Sequence, residues 1–146
     1  MSLFLLARTN PYRGLRFKVL DLRNTPVEVE NLKVYQKLCG LVLGVHKLTM
    51  DFPKFELYEL GSQLRRSSNS SAANLAEGFD NKHTSIYTEC ISRSQAEIRE
   101  TIHHLKIAFK KRYLTEEKLN SLVAEYSECS KMLYGLEKAL ISNHKK

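Results

Sequence analysis

Proline and glycine are scarce in this sequence, with only 3 prolines and 6 glycines among 146 residues. Both residues destabilise the interior of a helix, so their scarcity favours long helices. The chain also lacks a run of about 18 apolar residues, the length that a membrane-spanning helix needs. The apolar start, residues 1–7, is too short for the core of a secretory signal and lacks a leading basic cluster. These absences predict a soluble, cytoplasmic protein with no membrane partner.

Cysteine is also too rare to organise the fold. Cys39, Cys90 and Cys129 are odd in number and far apart, which argues against a disulfide framework or a zinc knuckle. Each cysteine falls at an apolar position of a helical pattern. We therefore expect three free, buried core residues and predict no metal or cofactor.

The remaining composition is that of an ordinary globular protein. Hydrophobic residues make up 42% of the chain and charged residues 27%, and 146 residues suit one domain. The formal net charge is +7. Net charge affects association rather than fold, so this excess indicates an anionic partner such as a nucleic acid.

Apolar residues recur at three- and four-residue spacing in four segments, which predicts four amphipathic helices. Thr25, Pro26 and Glu28 form a capping box for the first helix, and Thr115 caps the fourth. The predicted helices cover approximately residues 26–50, 55–77, a third that starts between 81 and 84 and ends at 112, and 115–141. Phe55 and Tyr58 belong to the apolar row of the second helix and Phe109 to that of the third, so all three are expected to face the core. Short connections between long helices make antiparallel neighbours, so the fold class is all-α, an antiparallel up-down-up-down four-helix bundle. This assigns residues 1–24 to an N-terminal arm, 25–141 to the bundle and 142–146 to a tail.

Several positions carry more specific expectations. The fourth helix has a coiled-coil-like core row in which the steps alternate between three and four residues. Its members are Leu119, Leu122, Tyr126, Cys129, Leu133, Leu136 and Leu140. Residues 67–73 are small and polar, so they can be helical only where tertiary packing holds them. Gly40 and Gly44 would allow a close helix approach, and Gly78 is predicted to end the second helix in a left-handed conformation.

No arrangement of residues resembles an enzyme active site. A di-iron bundle needs two Glu-x-x-His pairs, and this chain has only Glu100 with His103. The serines lack the context of a nucleophile elbow, and no glycine-rich phosphate loop is present. We therefore predict that the protein is not an enzyme.

Basic residues offer the better candidate site. One stripe on the third helix and an adjacent pair on the second could grip phosphates, or could be solvated helix faces. The tentative nucleic-acid-binding set is Arg65, Arg66, Arg99, His103, Lys106 and Lys110.

Glu77 lies at the C-terminal end of a helix, where a negative charge is disfavoured. Three interpretations remain open for it. It could be held by Arg65 or Arg66 of an adjacent subunit or helix, or by backbone N–H groups that open the third helix; it could be exposed to water; or it could bind a ligand.

The middle of the chain resembles a known family. The residues are Gln63-Leu64-Arg65-Arg66-Ser67, Ser70, and Ala73-Asn74-Leu75-Ala76-Glu77-Gly78-Phe79. They resemble the pattern Q-[LI]-R-R-A-x-x-S-[IV]-x-x-N-[IL]-A-E-G of the four-helix-bundle proteins encoded in intervening sequences of bacterial 23S ribosomal RNA genes, the S23 ribosomal protein-like family. Residues 32–37 resemble that family's L-x-V-[WY]-Q-K opening, and residues 111–114 its L-G-Y-L end to the third helix.

The resemblance covers about residues 29–141 and marks Gln63, Asn74, Glu77 and Gly78 as signature residues. It departs at Ser67, where alanine is common, and at Ser71, where isoleucine or valine is common. It implies a bundle that assembles as a ring, often a pentamer. It also implies kinship with the accessory protein of diversity-generating retroelements, which binds a reverse transcriptase and nucleic acid.

The sequence therefore predicts a non-catalytic homo-oligomer, with a pentamer suspected, that contacts RNA, DNA or a nucleic-acid-processing protein through basic surfaces. The alternative is a structural or protein-binding scaffold that makes no contact with nucleic acid.

Overall fold

The computed structural model describes residues 28–144, which fold into four α-helices and two short 3-10 helices and contain no strand. The predicted arm, residues 1–24, and the caps Thr25 and Pro26 lie outside the described residues. The α-helices are α1 (Lys33–Met50), α2 (Leu60–Gly78), α3 (Thr84–Lys110) and α4 (Glu116–His144), and the 3-10 helices are Val29–Asn31 and Lys54–Leu57.

Each α-helix packs against two others: α1 contacts α2 and α4, and α3 contacts α2 and α4. The connections between successive helices are short, so successive helices run in opposite directions. This confirms the predicted up-down-up-down four-helix bundle.

The core row predicted on α4 is confirmed. Leu122, Tyr126, Cys129 and Leu133 are buried at its centre. The flanking Leu119, Leu136 and Leu140 are partly buried and pack against the same core. Cys90 and Cys129 are buried as predicted, whereas Cys39 is only half-buried.

The contact between α2 and α3 is made by hydroxyl side chains that are completely buried. Ser94 Oγ donates to Ser71 O at 2.6 Å, and Thr101 Oγ1 donates to Ser67 Oγ at 2.9 Å. We call this contact the hydroxyl seam; its residues are Ser67, Ser71, Ser94 and Thr101. Small side chains let the two helices approach closely, and the hydrogen bonds satisfy the buried hydroxyls. The prediction that packing keeps this weak helix former helical is therefore confirmed.

Gly78 is essential for a different reason from the predicted one. It is the last residue of α2 and does not have positive φ. A Cβ atom added to Gly78 would lie 2.3 Å from Cys90 Cβ, so this glycine permits the close approach of α3. The left-handed residue that follows the helix is Asp80, with φ 52°.

The other predicted close approach is not found within the chain. A Cβ added to Gly40 or to Gly44 would meet no atom within 4 Å in the described structure. Both glycines are on a face of α1 that the bundle does not cover.

Two helix boundaries predicted from the sequence are wrong. Residues 28–32 are not α-helical, and α1 begins only at Lys33 after an extended Leu32. The second predicted helix is divided into a 3-10 turn and α2, because Glu59 breaks the helical conformation with ψ −108°. At the C-terminus, α4 continues to His144 and so includes part of the predicted tail.

The burial pattern of the connection between α1 and α2 also differs from prediction. Phe55 and Tyr58, expected to line the core, are 67% and 85% exposed, whereas Glu56 is 2% exposed. On α3, Phe109 is 36% exposed, and Ala108 and Thr101 fill core positions. The buried Glu56 carboxylate faces the core, so its neighbours Phe55 and Tyr58 face solvent.

The end of α3 forms a Schellman motif. Tyr113 N donates to Ala108 O at 3.0 Å and Arg112 N donates to Phe109 O at 2.8 Å. Arg112 occupies the left-handed position with φ 65°, where glycine is favoured. The turn delivers Tyr113 and Leu114 to the core before α4 begins.

Candidate nucleic-acid interface

Four basic residues of the tentative binding set lie together on α3. Arg99, His103, Lys106 and Lys110 are all exposed, and their four-, three- and four-residue steps place them on one face. We call this face the α3 stripe. It extends for about 16 Å at the helical rise of 1.5 Å per residue. Within residues 28–144, none of the four pairs with a carboxylate.

The nearest acids on α3 are directed toward α2 instead. The Glu100 carboxylate lies 3.8 Å from Arg66 Nη2 and 3.4 Å from His104 Nε2. Burial, and then the neighbouring charge of Glu100, raise the pKa of Glu97. The Glu100 carboxylate is therefore offset by Arg66 of α2 rather than by a cation of the α3 stripe.

Arg65, by contrast, has a structural role. Its Nη2 donates to Leu57 O at 2.6 Å and its Nη1 donates to Thr49 Oγ1 at 3.1 Å. The guanidinium thus ties the end of α1 and the 3-10 turn to α2. Arg66 is exposed and donates to Gln63 Oε1 at 2.8 Å, so the two adjacent arginines have different surroundings.

The remaining signature residues are not assembled into a site. Asn74 Nδ2 donates to Ser70 O at 2.8 Å within α2. Glu77 is exposed, and within residues 28–144 no cation lies within ion-pair distance of it. The clamp suggested by the sequence is therefore not formed inside one chain.

The sequence reasoning missed a buried carboxylate at one end of the bundle. Glu56 Oε1 accepts from Lys111 Nζ at 2.5 Å and from Tyr113 OH at 3.0 Å, and Glu56 Oε2 accepts from Leu60 N at 3.3 Å. The hydrogen bond from Lys111 lowers the pKa of Glu56, whereas burial alone would raise it. The hydrogen bonds from Tyr113 OH and Leu60 N lower this pKa further. We call this cluster the Glu56 clamp. It joins the α1–α2 connection to the α3–α4 turn.

The surface around the Glu56 clamp carries exposed aromatic side chains and charges of both signs. Phe55 and Tyr58 flank the buried Glu56 in sequence and are largely exposed. An open cavity of about 530 Å³ lies at the α3–α4 turn beside Phe109. Its lining residues are Phe109, Lys110, Arg112, Tyr113, Leu114 and Thr115. Lys110, the last member of the α3 stripe, therefore also borders this end of the bundle.

The positive charge of the protein is unevenly distributed along the chain. Residues 28–144 contain 16 Lys and Arg against 15 Asp and Glu, a net charge of only +1. Residues 1–27 contain 5 Lys and Arg against 1 Asp, and Lys145 and Lys146 provide the rest of the excess. The bundle is thus nearly neutral, and the α3 stripe is a local feature rather than part of a basic surface.

Two other classes of site were sought in the part of the chain that the structure describes. None of its helices is both long and apolar enough to cross a membrane. Residues 28–144 also contain no group of three His, Cys, Asp or Glu side chains placed to hold a metal ion.

The fold is similar to a crystal structure from Bacteroides thetaiotaomicron, a protein of unknown function from the S23 ribosomal protein family. The TM-score is 0.63 at 23% sequence identity, and the match covers 72% of this chain and 95% of the other. No curated protein sequence is significantly similar to the chain. The family model of the 23S rRNA-intervening sequence proteins matches residues 30–135, which include α1, α2, α3 and most of α4. The chain therefore belongs to the 23S rRNA-intervening sequence protein family.

Proposed function

We propose that this protein is a non-catalytic, oligomeric helical-bundle module that contacts RNA through the α3 stripe. DNA, or a protein that processes nucleic acid, would be recognised by the same basic residues. The observation that carries the proposal is the exposed row of Arg99, His103, Lys106 and Lys110, which pairs with no carboxylate of residues 28–144, on an otherwise nearly neutral bundle. Lysine and arginine side chains in such a row neutralise phosphates and release counterions, which gives affinity without sequence specificity.

The N-terminal residues add to this proposal through their charge alone. Residues 1–27 carry a net charge of +4, more than the whole described bundle. Long-range attraction of a polyanion depends on total charge, so these residues increase its association rate. The local contacts are assigned to the α3 stripe.

The test is a titration of a fluorescently labelled RNA hairpin with the full chain at several salt concentrations. Wild-type protein is expected to bind at low salt, with log affinity falling linearly as log salt concentration rises. The double variant Arg99→Gln/Lys106→Gln removes two phosphate contacts and should reduce the salt slope by about two.

The matched control is Lys47→Gln/Lys131→Gln, which has the same net charge but alters exposed lysines on α1 and α4. It should retain the wild-type slope to within about half a unit, since neither lysine belongs to the stripe. Equal losses in both double variants, or no binding by the wild type at low salt, would contradict the proposal.

Self-assembly is supported by the uncovered face of α1. Leu43 is 66% exposed between Gly40 and Gly44, and the groove beside it has a volume of about 320 Å³. The groove is lined by Tyr35, Cys39, Val42, Leu43, Asn69, Ala72 and Ala73. We assign this face to a second copy of the chain, because two glycines on one helix face permit close approach of another helix. A closed ring such as a pentamer would then repeat the α3 stripe around its symmetry axis.

Light scattering in solution tests self-assembly directly. A Cβ atom added to Gly44 meets no atom within 4 Å in the described structure, so Gly44→Leu should fold normally. Its larger side chain should block the contact between copies, so the assembly should have a lower mass than that of the wild type. Gly135→Leu is the control, because Gly135 is an equally uncovered glycine on α4. A monomeric wild type, or an unchanged mass for Gly44→Leu, would exclude this interface.

The alternative function is a scaffold that binds a protein without nucleic acid. The exposed apolar face of α1 also suits a protein partner. Purification with and without nuclease separates the two: a partner retained after nuclease treatment and at high salt favours the scaffold, whereas a nuclease-sensitive partner favours the nucleic-acid module.

A further inference from the structure

Exposed aromatic side chains are concentrated at one end of the bundle. Among the described residues, four Phe or Tyr side chains are exposed: Tyr58 at 85%, Phe55 at 67%, Tyr134 at 58% and Phe109 at 36%. Three of these belong to the α1–α2 connection or to the last turn of α3, and only Tyr134 is elsewhere, on α4. Solvent exposure of large aromatic surface is unfavourable, so a cluster of this kind indicates a binding surface.

The Glu56 clamp holds the two parts of this end together. Glu56 belongs to the same 3-10 turn as Phe55, while Lys111 and Tyr113 belong to the turn that follows Phe109. Phe52 and Tyr113 add an aromatic contact across the same junction, with ring centroids 5.2 Å apart. The exposed rings are therefore carried on a rigid junction and lose little conformational freedom when a ligand binds.

Charge at this end is mixed, so the rings and the cations must be considered together. Lys54, Lys110 and Arg112 are exposed here, and so are four acids. The acids are Asp51, Glu59, Glu116 and Glu117. Lys110 and Arg112, however, border the same cavity as Phe109. Position 112 is an arginine although its left-handed φ of 65° is one that glycine would adopt without strain.

We propose that this end of the bundle binds unpaired nucleotides of a single-stranded RNA or DNA segment. Their bases stack on Phe55 and Tyr58, and Lys110 and Arg112 contact the adjoining phosphates. Aromatic platforms beside a basic groove are the general means by which proteins hold single strands without reading sequence. A fully paired duplex hides its base faces and gains nothing from these rings. This inference rests on the proposed function, because Lys110 links the α3 stripe to the aromatic end.

The experiment compares two labelled RNAs at low salt: an unstructured oligouridine and a fully paired, blunt-ended duplex whose strands have the same length. The Phe55→Ala/Tyr58→Ala variant should bind oligouridine about tenfold or more weakly for each stacked base lost, and bind the duplex as wild type does. Tyr58→Phe retains the ring and should behave as wild type. Tyr134→Ala, the matched exposed aromatic on α4, should leave both affinities unchanged.

The outcomes separate this inference from the proposed function. If the wild type binds neither RNA, the proposed function fails and this site fails with it. If the wild type binds both RNAs and Arg99→Gln/Lys106→Gln weakens both, while Phe55→Ala/Tyr58→Ala weakens neither, only the stacking site is wrong. A change in oligomer mass for Phe55→Ala/Tyr58→Ala would assign the rings to contacts between copies and would also overturn the inference. Thermal melting of each variant checks the fold, which the large exposure of both rings leaves intact.

Discussion

Glu56 and Lys111 are 55 residues apart in the sequence and form an ion pair of 2.5 Å in which the carboxylate is buried and the ammonium group is half exposed. The pair fastens the α1–α2 connection to the α3–α4 turn. Tyr113 OH and Leu60 N complete the carboxylate's hydrogen bonds. Because a buried charge is tolerated only when it is paired, this contact keeps the α1–α2 connection and the α3–α4 turn together.

Removing the cation of this pair should destabilise the protein. Lys111→Met leaves a buried carboxylate with only two neutral donors, and we expect the free energy of unfolding to fall by about 2 kcal/mol. Urea denaturation measures this value. Lys110→Met is the control, because Lys110 is exposed and should change stability by less than about 0.5 kcal/mol. Equal losses in the two variants would show that the ion pair contributes nothing.

The same carboxylate predicts loss of stability in acid. The hydrogen bond from Lys111 lowers the pKa of Glu56 from its ordinary value of 4.5, so the folded state binds this proton less readily than the unfolded state. Its contribution to stability is therefore complete above pH 4.5 and is lost as the pH falls through the folded-state pKa. Urea denaturation between neutral and acidic pH should show a shallower acid decline for Glu56→Gln than for the wild type. Parallel curves for the two proteins would contradict this assignment.

Two glycine-to-alanine variants should have opposite effects. Gly78→Ala places a Cβ atom 2.3 Å from Cys90 Cβ and should destabilise the protein by about 2 kcal/mol or more. Gly135→Ala meets no atom within 4 Å and should stabilise α4 by about 0.5–1 kcal/mol through helix propensity. Cys90→Gly should restore part of the Gly78→Ala loss, whereas Cys90→Ala should not, because it keeps the clashing Cβ. Thermal melting of the four variants measures these differences.

Tyr126 and Ser68 should show strong coupling. Their hydroxyl oxygens are 2.7 Å apart, and both side chains are completely buried. Ser68→Ala leaves the buried phenol without its partner and should cost about 1–3 kcal/mol. Adding Tyr126→Phe should recover part of that cost, since both partners are then apolar. A double-mutant cycle by urea denaturation measures the coupling, and additive losses would exclude it.

Titration of Tyr126 should appear at high pH. Burial raises the pKa of this phenol from 10.0 to about 12, with the Ser68 hydrogen bond opposing the shift. The unfolded state therefore loses the proton first, and stability declines as the pH rises from 10.0 to about 12. Tyr126→Phe should remove this part of the alkaline decline in denaturation experiments. A decline that is unchanged in Tyr126→Phe would assign it to other groups.

Replacing Arg112 with glycine should stabilise the fold. The left-handed conformation, φ 65°, costs a residue with a side chain about 1 kcal/mol, and glycine avoids this cost. We expect a net gain of about 0.5 kcal/mol after the greater freedom of glycine in the unfolded chain is included. Arg112→Ala is the control and should give no gain, because alanine has the same steric conflict. Thermal melting of the two variants would measure the difference.

The sequence was most informative where burial follows simple periodicity. The row Leu122, Tyr126, Cys129 and Leu133 is regular enough to identify the inner face of α4 correctly. The packed helical state of residues 67–73 was also anticipated, because a segment of poor helix formers is helical only where tertiary packing holds it. In both cases the information lies within one helix turn of the residue concerned.

The aromatic end of the bundle was not predictable in the same way. A hydrophobic pattern places Phe55 and Tyr58 inside and Glu56 outside, and the structure has the reverse. The reversal depends on Lys111 and Tyr113, which are more than 50 residues away in the sequence. Only the folded structure shows that they lie next to Glu56. The role of Gly78 was not predictable for the same reason. The sequence indicated that a glycine is needed there, but the residue that requires it, Cys90, lies on another helix.

The hydroxyl seam has a mechanical consequence. The bonds from Ser94 to Ser71 and from Thr101 to Ser67 are directional and fix the axial position of α3 along α2. A slip of one helical turn would break both bonds at once and leave the buried Ser94 hydroxyl without its partner. We therefore expect α2 and α3 to move together, so that a rearrangement on assembly or binding would displace α1 or α4 relative to this pair.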